Sequence, residues 1–346
     1  MGNLEKISLK YTLGLGIIGC LLIGGCKQRD DYPEFDREAY FKASQEKDKE
    51  IIDTQKSWYV TTLEDSKNKM FKSFISDTTW TLSEGVEYAK IVFIDGLDQR
   101  QMIHVVQADI KNPKVKVVSM SAYGVALNNR QVLDQMTADN EGIGGKILAS
   151  INGDNMSTST TNTYGITTNG FVYYDKVMKA VASTNANKLI PYLGVKKSGE
   201  VFLGNSPNIT TYPTTWVEQS ELVHQVSGPT WLMYGPNNTN TASTSVLARS
   251  IVGVNQDESK LFFVVLEGNR PNVSVGMGLP NMATLLRGWG MYKGFMPYYS
   301  QYGQMTIRQE DSKGKTTFPL VNAPTTSAGV IAPGTLANGI AIVVPK

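Results

Sequence analysis

From residue 85 onward the sequence breaks into short runs rich in valine and isoleucine, and helical patterns do not alternate with them. No other feature limits the fold so strongly, because period-2 apolar runs between turn residues make strands. The runs 86–94, 101–109 and 115–121 are divided by the turn signals Asp95-Gly96 and Asn112-Pro113. Further strands are expected over 146–151, 170–174, 192–195, 201–203, 229–234, 250–255, 260–266 and 339–344. Two segments read as helices. Residues 131–140 carry Val132, Leu133 and Met136 on one side, and 279–289 place Met282, Leu285, Leu286 and Trp289 at helical spacing. A doubly wound parallel sheet needs helices between successive strands. The expected fold class is therefore α+β: one mixed, mostly antiparallel, β-rich domain with a few helices over residues 81–346, preceded by a helical spacer.

The spacer covers residues 26–80, which are dense in Lys, Glu, Asp and Gln. Residues 36–54 read as a helix with few apolar positions (Ala39, Tyr40, Phe41, Ile51 and Ile52). A second helix is expected over 62–75, with Leu63, Met70, Phe71 and Phe74 on a partial face. Such thin faces suit a solvated spacer. A partner-binding helix pair, or a second helix docked on the domain, stays open.

Residues 1–25 have the layout of a signal peptide. Lys6 and Lys10 precede an apolar run over 11–23, which is shorter than the roughly 20 residues a membrane span needs. The run ends Leu22-Ile23-Gly24-Gly25-Cys26, which resembles a bacterial lipobox, with the Cys26 thiol as lipid acceptor. Cys20 is a weaker candidate because the apolar run continues past it. The expectation is a lipid-anchored protein of the bacterial cell envelope, held at the membrane outside the cytoplasm; an uncleaved signal anchor is the alternative.

Composition removes several classes of function. Both cysteines lie in the first 30 residues, so the remaining chain has no disulfide or thiolate site. The histidines are His104 and His224, too few for a multi-histidine zinc site. No phosphate-cradling glycine loop and no acidic calcium loop occurs, and no cofactor or dedicated metal site is expected, although a single carboxylate-bound cation stays open. A net charge of +2 gives no sign of a nucleic-acid binder. Any catalysis must use carboxylates, amides, Arg, Lys, Tyr or backbone donors.

Several segments, in order, match a known family. They are Gly85-Val86-Glu87-Tyr88, Asp109-Ile110-Lys111-Asn112-Pro113, Ser150-Ile151-Asn152-Gly153, Tyr164-Gly165 with Asn169-Gly170, Ser227-Gly228-Pro229 and Ala248-Arg249-Ser250-Ile251-Val252-Gly253-Val254. Val264-Val265-Leu266-Glu267-Gly268-Asn269-Arg270 and Ser274-Val275-Gly276-Met277 follow. Together they resemble the bacterial phosphodiester glycosidase domain, whose animal relative is the lysosomal uncovering enzyme. The resemblance implies a sugar-phosphodiester or related carbohydrate ligand. It implies that Glu267 is a catalytic acid with a raised pKa, and that Asp154 is the available second carboxylate. It puts Asn152, Gly153, Arg249 and Gly268 in the substrate-binding set, with Arg249 clamping a phosphate. The residues alone leave plainer roles open: a turn at Asn152-Gly153, an Asx-turn at Asp154 and a rim salt bridge for Arg249.

The chain departs from the pattern after the second helix. The family carries a strand ending Asn-Leu-Asp-Gly-Gly-Gly-Ser. Aligned without a gap, Tyr298 stands for the aspartate, Tyr299, Ser300 and Gln301 for the glycines, and Tyr302 for the serine. A carboxylate is replaced by a phenol, and three residues with a Cβ must follow glycine backbone or abandon it. Asn322-Ala323-Pro324 fits the family's Asn-x-Pro, but the arginine before the last strand is absent from 331–335. Two outcomes follow. Either the domain still hydrolyses a sugar phosphodiester or related glycan bond, or it is catalytically degenerate and binds glycan, with Tyr298 in an aromatic platform. Plain core packing of these tyrosines is the third reading.

Overall fold

The valine-rich runs pair side by side and leave both faces of their sheet apolar, so layers must cover each face. The computed structural model describes residues 56–125, 129–154, 170–179, 190–205, 221–238 and 243–346. Among them every strand pairing is antiparallel. The principal sheet has eight strands. In spatial order they are β1 (Ser73–Ser83), β2 (Val86–Ile94), β3 (Arg100–Asp109), β14 (Lys260–Leu266), β13 (Arg249–Asn255), β15 (Met291–Met296), β11 (Thr230–Tyr234) and β12 (Asn237–Asn238). A four-stranded sheet holds β16 (Met305–Ile307), β5 (Lys146–Asn152), β19 (Asn338–Val344) and β4 (Lys116–Ser121). A five-stranded sheet holds β7 (Lys176–Lys179), β6 (Phe171–Tyr173), β10 (Leu222–Ser227), β8 (Pro191–Lys196) and β9 (Val201–Asn205). A small hairpin joins β17 (Gln309–Glu310) to β18 (Thr316–Thr317). The helices are α1 (Trp58–Asp65), α2 (Leu133–Asp139) and α3 (Leu279–Gly288). The architecture is α+β, as the strand-rich pattern requires.

The period-2 pattern decides which layer each residue meets. In β14, Leu261, Phe263 and Val265 face the two smaller sheets and pack with Val106, Ile151, Leu193 and Ile340. Phe262, Val264 and Leu266 face the other way and pack with residues of α1 and α3. Helix α3 supplies that layer because Leu279, Met282, Ala283, Leu285 and Leu286 recur on one stripe, with Pro280 set in its first turn. Helix α2 covers the outer face of the four-stranded sheet through Leu133 and Met136.

The first described segment differs from its expected form. The helix expected over 62–75 lies earlier, over Trp58–Asp65, and Ser73–Ser83 is an edge strand paired with β2. Met70, Phe71 and Phe74 mimic helical spacing, but Thr78, Thr79, Trp80 and Thr81 favour a strand, being β-branched or aromatic. Helix α1 buries Tyr59, Val60 and Leu63. The Trp289 indole donates to the Tyr59 carbonyl at 2.9 Å, and the two rings meet edge to face. Residues 55–346 form one compact unit, so 56–80 belong to the folded body and are not a free spacer. The leader, Cys20, Cys26 and the helix expected over 36–54 lie outside the described residues. Among the described residues no helix is long and apolar enough to cross a membrane.

Candidate functional site

Strand β5 ends in Asn152, and three buried amides hold the chain there. The Asn152 Oδ1 accepts from the Gln304 N–H at 3.1 Å, and its Nδ2 donates to the Gly153 carbonyl at 3.0 Å. Asn338, at the start of β19, folds over the turn: its Oδ1 accepts from the Asp154 N–H at 3.1 Å, and its Nδ2 approaches the Asp154 carboxylate at 3.4 Å. A Cβ on Gly153 would lie 1.7 Å from the Asn338 Oδ1, so glycine is required for this contact. Asp154 is buried, and its carboxylate faces an amide of the protein. The same network runs on to Glu267. Asn322 donates to the Gly303 carbonyl and accepts from the Met305 N–H, and the next residue, Ala323, donates its N–H to Glu267 Oε1 at 3.1 Å. The Asn-x-Pro segment therefore ties Asn152 and Glu267 to one end of the layered sheets.

Glu267 follows the last residue of β14 and is 3% exposed. Its Oε1 also accepts from His104 Nε2 at 3.1 Å, and its Oε2 pairs with the Arg270 guanidinium. Behind it, the Tyr88 hydroxyl lies 2.9 Å from His104 Nδ1. A carboxylate on one side and a phenol on the other fix the neutral tautomer, with Nε2–H donating to Glu267 and Nδ1 accepting from Tyr88. Burial pushes the His104 pKa below its ordinary value, against the pull of Glu267. For Glu267, burial pushes the pKa upward, but the His104 hydrogen bond, the Ala323 N–H and Arg270 outweigh it, and the carboxyl lies below its usual range. Because the ring is neutral, His104 acts here through its N–H and not through a full charge. The raised pKa expected for Glu267 is thus corrected: the group is an anchored, ionised carboxylate.

Arg249 does not join it. Arg249 stands opposite Leu266 in the β13–β14 ladder, so both side chains point to the face covered by α3. Glu267, one residue further, points to the opposite face. The Arg249 guanidinium donates to the Ser245 carbonyl at 2.7 Å and to the Met277 carbonyl at 3.3 Å, and burial brings its pKa down to about 10. It stays cationic at neutral pH without forming the expected rim salt bridge among the described residues. Gly268 is needed for chain packing, since a Cβ there would lie 2.4 Å from the Ala248 nitrogen.

The tyrosine segment follows β15. Tyr298 and Tyr299 stack in parallel with centroids 4.8 Å apart, and Tyr302 meets Tyr298 edge-on at 4.6 Å. Ser250 Oγ donates to the Tyr298 carbonyl at 2.8 Å and fixes the segment to β13. Ser300, at one of the expected glycine positions, takes φ +53°, the left-handed region that glycine adopts freely. Here the chain keeps one glycine-like turn in spite of its Cβ. The Tyr302 ring covers Gly334, in the stretch that lacks the arginine. Tyr298 is half-buried and Tyr299 exposed, so the group is only partly core.

Sequence reasoning counted His104 but gave it no place beside Glu267, and it missed Tyr88, Gln304 and Asn338. A histidine inside the run 101–109, on a face otherwise apolar, was the available signal. Tyr164-Gly165, Asn169 and the loop 155–169 lie outside the described residues, as does Cys26. Among the described residues no group of three or more His, Cys, Asp or Glu side chains could hold a metal ion.

With this geometry in view, the class of domain follows. Residues 145–296 match the family model described as phosphodiester glycosidase. The match agrees with the resemblance in the sequence and supports a phosphodiester glycosidase-like fold. Two solved structures share the fold. One is the catalytic domain of zebrafish N-acetylglucosamine-1-phosphodiester alpha-N-acetylglucosaminidase, auto-inhibited by its pro-peptide. It is 15% identical with a TM-score of 0.53, and the alignment covers 78% of this chain and 88% of that one. The other is a protein from Synechocystis described as hypothetical, 10% identical with a TM-score of 0.52; the alignment covers 78% of this chain and 64% of that one. No curated protein matches the chain.

Proposed function

We propose that this is an exported, lipid-anchored protein of the bacterial envelope whose domain binds a sugar phosphodiester or related glycan without hydrolysing it. One observation carries the reading: both oxygens of Glu267 are engaged by His104, Ala323 and Arg270, and the carboxyl is held ionised. An acid catalyst must hold a proton to deliver, and this setting opposes that. The second carboxylate, Asp154, is engaged with Asn338.

The aromatic group suits binding. A stacked tyrosine pair with an edge-on third ring offers an apolar face to the C–H side of a sugar. Arg130 acts electrostatically on the Tyr298 hydroxyl and makes no ion pair among the described residues. It is a cation available to a phosphate beside the platform, whereas the buried Arg249 guanidinium is taken up by the Ser245 and Met277 carbonyls.

The expected result is glycan binding without release of free sugar from a synthetic sugar phosphodiester. Tyr298→Ala should weaken binding about tenfold, or about 1.4 kcal/mol. Release of sugar by the wild type, lost in Glu267→Gln, would establish the hydrolytic alternative instead. That alternative draws on the hydrogen-bonded path joining Asn152 to an ionised Glu267.

The anchor rests on Lys6, Lys10, the apolar run 11–23 and Cys26. Cys26→Ser should move the protein from the membrane to the soluble fraction and abolish labelling by a fatty-acid probe. Retention of label in that variant would remove Cys26 as the acceptor.

A further inference from the structure

A cleft of about 530 Å³ lies at the other end of the strands from Glu267. It opens beyond the end of β3, where Asp109 pairs with Lys260, the first residue of β14; Glu267 follows the last residue of that strand. Seven residues of strand put the two places about 23 Å apart.

Four lysines and no carboxylate line this cleft. They come from separate parts of the chain: Lys111 and Lys116 from the connection into β4 and its first residue, Lys196 from the last residue of β8 and Lys197 from the turn that follows. Lys196 is matched by Glu200 at 2.9 Å. Lys111, Lys116 and Lys197 are exposed and make no ion pair among the described residues. Gathering like charges around one concavity concentrates a positive field there.

The walls differ in character from the rim. Val117 and Val195 are buried valines that line the interior. Tyr174 also lines it and meets His224 edge-on at 4.5 Å. Tyr174 and Asp175 both take positive φ, +47° and +63°, so the turn that aims the ring is held in a conformation costly for such residues. His224 is almost fully buried. Ser119 Oγ donates to the Val172 carbonyl and so accepts from His224 Nδ1 at 2.9 Å. In that tautomer Nε2 is an acceptor with no partner among the described residues.

We propose that this cleft is a second binding site, for a sugar or short glycan that carries an anionic group. The valines and Tyr174 take the apolar face of the ring, the three free lysines take the anion, and His224 Nε2 accepts from a hydroxyl. A bare anion would leave the apolar walls unused, and a neutral sugar would leave the lysines unmatched. The volume lies within the usual range for small-ligand pockets.

Calorimetric titration of the full domain tests this with four probes: trigalacturonate, glucose 1-phosphate, uncharged maltotriose and inorganic phosphate. At least one charged sugar should bind tenfold or more tighter than both maltotriose and phosphate, and weaken steeply with added salt. The charged sugar that wins separates carboxylate from phosphate recognition. The triple variant Lys111→Gln/Lys116→Gln/Lys197→Gln should lose at least tenfold in affinity with its thermal midpoint kept, and Lys→Arg at the same positions should retain binding. In the Tyr298→Ala background the triple lysine variant should still lose at least tenfold in affinity, which separates the cleft from the tyrosine platform. The proposal is overturned if neither charged sugar binds, if maltotriose or phosphate binds as tightly, or if the triple variant binds like the wild type.

Discussion

Glu267→Ala is expected to destabilise the domain by about 3–5 kcal/mol, the usual cost of removing one partner from a buried ion pair. The truncation strips a hydrogen-bond acceptor from His104 and from the Ala323 N–H, and the counter-charge from Arg270. Arg270 is partly exposed and can recover some hydration, which favours the lower end of that range. Glu267→Gln retains a carbonyl for His104 and Ala323 but loses the charge and the acceptor for Arg270, so its cost should be smaller than that of alanine, about 2 kcal/mol. Urea denaturation of the three proteins at neutral pH measures both differences. An alanine variant within about 1 kcal/mol of wild type would show that the carboxylate is not part of the frame.

Acidification from pH 7 to pH 4.5 should remove about 2 kcal/mol or more of stability before Glu267 contributes. Burial brings the His224 pKa from 6.5 down to about 4, so the unfolded chain takes up a proton in that window while the native state does not. Stability then falls as pH falls, by about 1.4 kcal/mol for each pH unit between the two values. His104 is depressed by burial as well and acts in the same direction. Glu267 has a lowered pKa, so its contribution is complete above its unfolded value of 4.5 and is lost only as pH drops through the folded value. The loss between pH 6.5 and pH 4.5 therefore belongs to the histidines. Denaturation profiles across this range, repeated with His224→Asn, should show a shallower slope in the variant. Identical slopes would assign the acid sensitivity elsewhere.

Much of the fold was legible because its strands are short and their punctuation is strong. The run 86–94 coincides with β2 and 260–266 with β14, and helix 279–289 lost only its last residue. The mistakes occurred where local pattern and tertiary placement disagree. β1 lies at the edge of its sheet with much of its length exposed, so it shows no clean apolar alternation. Strand 222–227 holds His224 and Gln225 inside a buried run, which hides its apolar character. The site divides in the same way. Asn152, Gly153 and Glu267 could be found because turn residues and a strand-end carboxylate leave marks along the chain. The face on which Arg249 stands could not, because facing depends on which residue of another strand lies opposite. His104 is 163 residues away from its partner Glu267, a pairing that no local spacing encodes.

The position of β19 bears on the order of assembly. Asn338–Val344 is the final strand of the chain, yet it lies between β5 and β4, bonded to both. Before it arrives, each of those neighbours has an open edge and the layer beneath α2 lacks its middle. Closing it joins segments more than 180 positions apart, a slow kind of step. Until β19 is seated, the four-stranded sheet is split down its centre, and the Asn338 amide that holds the Asp154 turn has no place to act.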